Sequence, residues 1–368
     1  MNRLFEKTNL LGFETKNRFV RTATWENYAT KDGHMTDKLF GIYENLAKNE
    51  VGTIITGYVN IVKEEQPNAG MMGMYDDSFI SEYKKLTSMC HEYDSKIILQ
   101  LAYGGTKTTF NVGERIIFAP SIIAELSTGT VGVEMTKDDI EYIVNGFASS
   151  ARRAKESGFD GVEIHGAHTY LINQFLSPYY NRRSDEYGGS LLNRFRFLKE
   201  IYLKVREEVD HDFSILVKLT ASDFFDGGLT FEETKKVCTM LEEIGVNALE
   251  ISGNVHGKAR GLVGEVFDGQ SIEKEGYFIN YAKEIKKIVS IPIITVGGFT
   301  SFTGIEEKLN DTGIDYFGLS RPLISEPDLI KQWKENGDKK ARCVRCSKCR
   351  TSEGNYCTIF DKDFNFRK

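Results

Sequence analysis

The sequence has no apolar run that approaches the ~20 residues needed to cross a bilayer. Its first residues, MNRLFEKTNLLGFETKNRF, hold no apolar stretch followed by a small-residue cleavage site, so they do not read as a secretory signal. Basic residues are not in excess. Lys and Arg total 47 against 53 Asp and Glu, a formal net charge of −6, which excludes a global pull toward nucleic acid or an anionic membrane. Cysteine is sparse over most of the chain: of six, Cys90 and Cys238 stand alone and four crowd between Cys343 and Cys357. That distribution is a ligand pattern, not a disulfide framework, and it predicts a reducing, cytoplasmic setting.

What is present is a repeating phrase. A charged helical segment, a glycine, a short connector and an apolar β run recur in KNEVGTIITG (48–57), KESGFDGVEIHG (155–166), EEIGVNALEISG (242–253) and NDTGIDYFGLSR (310–321). The glycines Gly52, Gly158, Gly245 and Gly313 fit helix C-caps, where a positive φ is cheap without a Cβ. Further β runs at 18–23, 96–101, 214–219 and 293–296 bring the count to eight. Helix-length segments near 36–49, 77–94, 138–156, 190–209, 230–244, 276–289, 301–309 and 325–336 separate them. Several strands are apolar on both faces, as parallel strands covered by helices should be. With 40% hydrophobic residues in 368, the pattern predicts an α/β chain: a (β/α)8 TIM barrel over residues 1–340, then a short Cys-rich tail over 341–368. A doubly wound sheet is the alternative, since periodicity does not prove closure.

Barrel active sites sit on the loops after the strand C-termini. Those positions carry Thr24 and Trp25, Tyr58, Gln100 and Tyr103, then His165, His168 and Tyr170, then Lys218, Asn254–His256, Gly297–Gly298 and Ser320–Arg321. Three polar groups able to hold a carbonyl fall within six residues at the end of strand 4. A glycine pair before a helix start, with an arginine after strand 8, fits a phosphate site, though any Gly-Gly can be an ordinary turn. Lys218 lies inside an apolar strand and calls for an anionic partner if buried, or snorkels toward the helix layer.

IHGAHTYLINQFLSP followed by NRRSDEYGGSLLNRFRF closely resembles the signature of the old yellow enzyme family, FMN-dependent barrel ene-reductases; KIILQLAYGG, LVKLTASDF, TVGGFTS and GLSRPLISEPDL follow in the family's order. The resemblance implies FMN across the barrel mouth. Ala23, Thr24 and Trp25 would line its edge, Gln100 would bond the pyrimidine part, and Lys218 would stabilise the reduced ring. Gly297, Gly298, Phe299, Ser320 and Arg321 would hold the phosphate. It further implies that His165 and His168 hold an enone carbonyl and that Tyr170 is the proton donor, with NAD(P)H as electron source and a homo-oligomeric state. An H-x-x-H pair can also bind metal, but this one lacks the HExxH glutamate. Trp25 stands where many relatives have threonine or cysteine. Tyr103 and Thr106 replace the histidine and arginine of the common L-A-H-x-G-R run, and Tyr28 and Tyr58 join Tyr103 as candidate substrate contacts.

Cys343, Cys346, Cys349 and Cys357 suit a [4Fe-4S] cluster or a structural zinc. Their placement resembles the tails of 2,4-dienoyl-CoA reductase and trimethylamine dehydrogenase. That likeness implies a cluster, here fed by a separate donor such as a ferredoxin. Two other functions remain open. Lys339, Lys340, Arg342, Arg345, Lys348 and Arg350 around the cysteines would suit a tRNA-binding reductase. An electron-transfer flavoprotein with a protein acceptor would use the same flavin site without the His–His–Tyr chemistry.

Overall fold

The computed structural model describes residues 3–9, 12–253, 275–337 and 339–360; the anticipated Asn254–His256 contacts lie outside the described residues. Eight strands form the barrel: β1 (Phe19–Arg21), β2 (Thr53–Ile55), β3 (Lys96–Ala102), β4 (Gly161–Gly166), β5 (Ser214–Thr220), β6 (Ala248–Ser252), β7 (Ile293–Thr295) and β8 (Tyr316–Leu319). Each pairs in parallel with its sequence neighbours, and β8 returns to β1. The ring is closed, which settles the barrel against the doubly wound alternative.

Helices α1 (Asp37–Lys48), α2 (Ile80–Glu92) and α3 (Lys137–Glu156) follow β1, β2 and β3. A short α4 (Leu171–Leu176) precedes α5 (Leu191–Glu208), and α6 (Phe231–Glu243), α7 (Ile279–Lys286) and α8 (Phe302–Thr312) complete the shell. α3 shows why these segments are helical. Thr136 and Asp139 form a reciprocal capping box at its start, and Ile140, Ile143, Val144, Phe147, Ala151 and Ala154 make one buried stripe at helical spacing. Each large aliphatic or aromatic side chain buried there contributes roughly 1.5–3 kcal/mol.

Two local expectations change. The helix expected near 325–336 starts only at Leu329, as α10 (Leu329–Asn336), and a separate short α9 (Arg321–Ser325) precedes it, because Pro327 pushes Glu326 to an extended φ of −139°. Gly313 does cap α8 at φ +71°, but after α1 the left-handed residue is Glu50 at φ 72°. Gly52 is needed for space instead: a Cβ there would lie 2.4 Å from Asn17 Oδ1.

The barrel interior is layered. Val20, Ile98, Leu216 and Ala248 belong to an apolar cluster. Two residues further along the same strands, on the same face, stand Thr22, Gln100, Lys218 and Glu250. The polar layer therefore lies toward the C-terminal mouth. The tail folds onto that mouth: the Ala341 N–H donates to Thr300 O (2.7 Å), and the hairpin Arg350–Thr351/Gly354–Asn355 is held by the Asn355 N–H on Glu26 O (3.0 Å).

Candidate active site

Eight of the anticipated residues line one cleft of about 340 Å³ at the mouth: Ala23, Trp25, Tyr58, Gln100, His165, His168, Tyr170 and Lys218. Strand β4 delivers His165 beside Lys218 of β5. The His165 ring stacks on Tyr170 (4.7 Å, 24°) and meets His168 edge-on at 5.1 Å. His165 Nδ1 accepts from the Ala167 N–H at 3.2 Å. A backbone amide only donates, so the proton of a neutral His165 sits on Nε2, which is left as a donor. Burial, reinforced by the Lys218 charge, pushes the pKa of His165 down to about 3, so the ring is neutral at ordinary pH.

His168 and Thr169 adopt φ of +60° and +61°, unusual for residues with a Cβ and costly by roughly 1–3 kcal/mol each. Hydrogen bonds, two of them fully buried, hold them there. The His168 N–H donates to Thr220 Oγ1 (2.8 Å), the Thr169 N–H to Asn173 Oδ1 (2.7 Å), and Gln174 Nε2 to Thr169 O (2.6 Å). This turn presents His168, whose Nε2 is 2.8 Å from Ser252 Oγ. Tyr170 is buried, and its pKa is raised to about 12, so it stays protonated. Asn68 Nδ2 donates both to Tyr58 OH (2.5 Å) and to Tyr170 OH (3.4 Å), fixing two phenols through one amide.

Below them lies a charged layer. Lys218 is only 3% exposed, so it does not snorkel to the helices. Its anionic partner is Glu250, 2.5 Å away, which also accepts from Thr22 Oγ1 (2.5 Å). Gln100 Nε2 donates to Glu163 Oε2 (2.5 Å). Glu163 and Glu250 were not singled out from sequence, yet both interrupt apolar strands (VEI, LEI), the same signal that marked Lys218. Asn68, Thr169 and Asn173 were also missed: the first two lie on loops and the third on the short α4, where one sequence gives no periodic signal, while Arg350 had been noted only as part of the basic tail.

The anticipated phosphate residues gather at the ends of β7 and β8. Gly297 and Gly298 have φ of +133° and +72°, and a Cβ on Gly298 would lie 2.8 Å from the Tyr277 ring. Thr24 and Ser320 hydroxyls meet at 2.8 Å. Bare backbone, two hydroxyls and an arginine suit an anion, so the donor set fits an FMN phosphate. Arg321 here donates to Ser347 Oγ (2.8 Å) and Tyr277 OH (3.3 Å), which ties this corner to the tail. The Phe299 side chain packs edge-on against Phe317 in the core, leaving only its backbone for such a role.

Two anticipated substrate contacts lie elsewhere. Tyr28 packs under Lys38 Nζ (3.8 Å) in a separate pocket with Arg21, Glu26 and Tyr356. Tyr103 is buried and stacks on Phe118 at 6.3 Å, while its carbonyl accepts the Leu171 N–H at the start of α4. Both are large rings with apolar neighbours nearby, and packing claimed them. In the tail, Cys357 is buried and Cys343, Cys346 and Cys349 are half-buried. They share one neighbourhood. Burial and then the charges of the other three cysteines push Cys349 up to about 11. Among the described residues, however, no group of three or more His, Cys, Asp or Glu side chains is gathered as a metal site. No helix among them is long and apolar enough to cross a membrane.

The chain is 35% identical over 347 residues to an NADH oxidase of Thermoanaerobacter brockii, covering 94% of this chain and 52% of that one. Its fold is similar to a 2-naphthoyl-CoA reductase bound to 2-naphthoyl-CoA (TM-score 0.84, 25% identity, 90% of this chain and 52% of that one). It is also similar to an old yellow enzyme homologue from Zymomonas mobilis (TM-score 0.78, 23% identity, 95% and 97%). The chain thus spans about half the length of the first two relatives and nearly all of the third. Residues 3–340, the whole barrel, match the family, and the chain belongs to the NADH:flavin oxidoreductase / NADH oxidase family.

Proposed function

We propose that this protein reduces an alkene conjugated to a carbonyl, taking electrons from NAD(P)H or, through its cysteine tail, from an external ferredoxin-like donor. The observation that carries the reading is the neutral His165, with its Nε2 proton free to donate, stacked on a protonated Tyr170 in the cleft that also holds Gln100 and Lys218. FMN, when bound, supplies the hydride. Ala23, Thr24, Trp25, Gln100 and Lys218 would hold its ring, and Gly297, Gly298, Ser320 and Arg321 its phosphate.

The residues divide the remaining work. His165, with His168 beside it, donates to the substrate carbonyl oxygen, where negative charge grows as the β-carbon gains hydride. The two donors are held by hydrogen bonds and strained backbone before substrate arrives, so little reorganisation accompanies that charge. Tyr170 OH, kept protonated by burial and oriented by Asn68, supplies the proton to the α-carbon. The four cysteines have the donor chemistry of a [4Fe-4S] cluster or a zinc, and iron and zinc analysis of anaerobically prepared protein separates the two. Tyr170→Phe tests the mechanism. Oxidation of the reduced protein by an enone should slow by about a hundredfold to ten-thousandfold while reduction by the electron donor keeps its rate. Equal slowing of both half-reactions would remove Tyr170 from the proton-donor role.

A further inference from the structure

We infer that Arg350 recognises an anionic group on the substrate, so that the alkene taken here carries a carboxylate or similar anion besides its conjugated carbonyl. The inference rests on the alkene-reductase reading above and narrows its substrate class. Arg350 directly follows Cys349 and opens the first strand of the tail hairpin. The hairpin carries it into the cleft of His165, His168 and Tyr170. Its guanidinium lies over the Trp25 ring at 4.6 Å, and Nη2 donates to Asn68 Oδ1 at 3.2 Å.

The charge balance of the cleft singles this residue out. Lys218 is neutralised by Glu250 at 2.5 Å, and Lys107 by Glu125 at 3.2 Å. Among the described residues no carboxylate forms an ion pair with Arg350, so its charge in the cleft is uncompensated. Arg350 is an exposed residue, but its guanidinium is held at two points, by an aromatic face and by an amide. Only one of its five N–H donors is used in that amide contact. The rest of the planar fork can take a carboxylate in two parallel bonds. Asn68, which receives the arginine, also donates to Tyr58 and Tyr170, so one side chain sets the anion anchor relative to the proton donor.

A purely structural strap is the competing role, and the hairpin does not need Arg350 for it. Asn355 secures the tail through its N–H on Glu26 O (3.0 Å) and its side-chain amide on Trp25 O. Arg350→Ala should therefore fold with the tail in place.

The test uses FMN-loaded protein and a matched pair of ligands, 4-oxopent-2-enoate and its methyl ester, which share the ketone and alkene and differ by one negative charge. Calorimetric titration of the oxidised protein gives Kd for each, and reoxidation of the reduced protein gives the rates. The wild type should prefer the acid, with a preference that weakens as salt rises. Arg350→Ala should shift the acid-to-ester ratio of Kd by about tenfold to hundredfold against the acid, the range of hydrogen bonds to charged partners. Arg350→Lys should recover part of it, because a lysine keeps the charge without the fork. Equal weakening of acid and ester, or a wild type that does not prefer the acid, overturns the inference. If neither compound is reduced although the electron donor reduces the protein, the alkene-reductase reading fails. The Kd ratio then still decides whether Arg350 binds an anion.

Discussion

Glutamine at position 163 should remove a loss of stability that the native glutamate imposes as pH rises. Glu163, Glu250 and Lys218 are buried together, two carboxylates with one ammonium. Lys218 and Thr22 satisfy Glu250 Oε1, and Gln100 satisfies Glu163 Oε2; Glu163 Oε1 and Glu250 Oε2 are left without a donor. One proton on Glu163 supplies the missing donor and brings the cluster to neutrality. Burial first, and the Glu250 charge second, raise the Glu163 pKa well above its ordinary 4.5. The folded protein therefore keeps this proton over a pH range in which the unfolded chain has lost it. The associated stability is fully present below the unfolded value of 4.5 and declines as pH rises toward the folded value, by about 1.4 kcal/mol per pH unit. Glutamine has the same shape, accepts from Gln100 through its carbonyl, offers N–H where the proton sat, and does not titrate. Guanidinium unfolding of both proteins between about pH 5 and about pH 8 gives the difference in stability free of every other titrating group. That difference should climb with pH in favour of Glu163→Gln, by up to about 1.4 kcal/mol per unit. Parallel pH profiles would refute the shared-proton account.

Two further outcomes follow from the site. Because burial holds His165 neutral down to about 3 and keeps Tyr170 protonated up to about 12, the enone half-reaction should be flat to within about twofold across ordinary pH. A limb near the usual histidine value, measured by stopped-flow reoxidation, would show that His165 is not held neutral. Asn173→Ala leaves the Thr169 N–H buried without its acceptor and should cost about 1–3 kcal/mol, seen as a melting point lower by several degrees. Reoxidation by an enone should slow with it, since the left-handed turn that presents His168 loses its brace; unchanged melting and rate would show that the turn holds itself.

The barrel was legible because its signals are local and repeated. Gly158, Gly245 and Gly313 do take positive φ after helices, and the alternation of amphipathic and doubly apolar segments matched the observed shell and ring. The cluster His165, His168 and Tyr170 was legible because one strand end supplies all three, and Lys218 because a charge inside an apolar strand is conspicuous. Glu163 and Glu250 gave that same signal in VEI and LEI, and only their neighbours showed what it meant.

Sequence by itself thus determined the order of strands and helices, most of the glycines that end helices, and the barrel end that carries the candidate site, since each depends on residues close in the chain. Tertiary structure alone decided the rest. It closed the ring through β8 and β1, chose Glu250 as the partner of Lys218, sent Tyr28 and Tyr103 to packing, and brought Arg350 over Trp25 and onto Asn68. Those contacts join residues tens to hundreds of positions apart. Their energies depend on burial, on charge balance and on which side chain reaches a partner first, and none of these exists until the chain has folded.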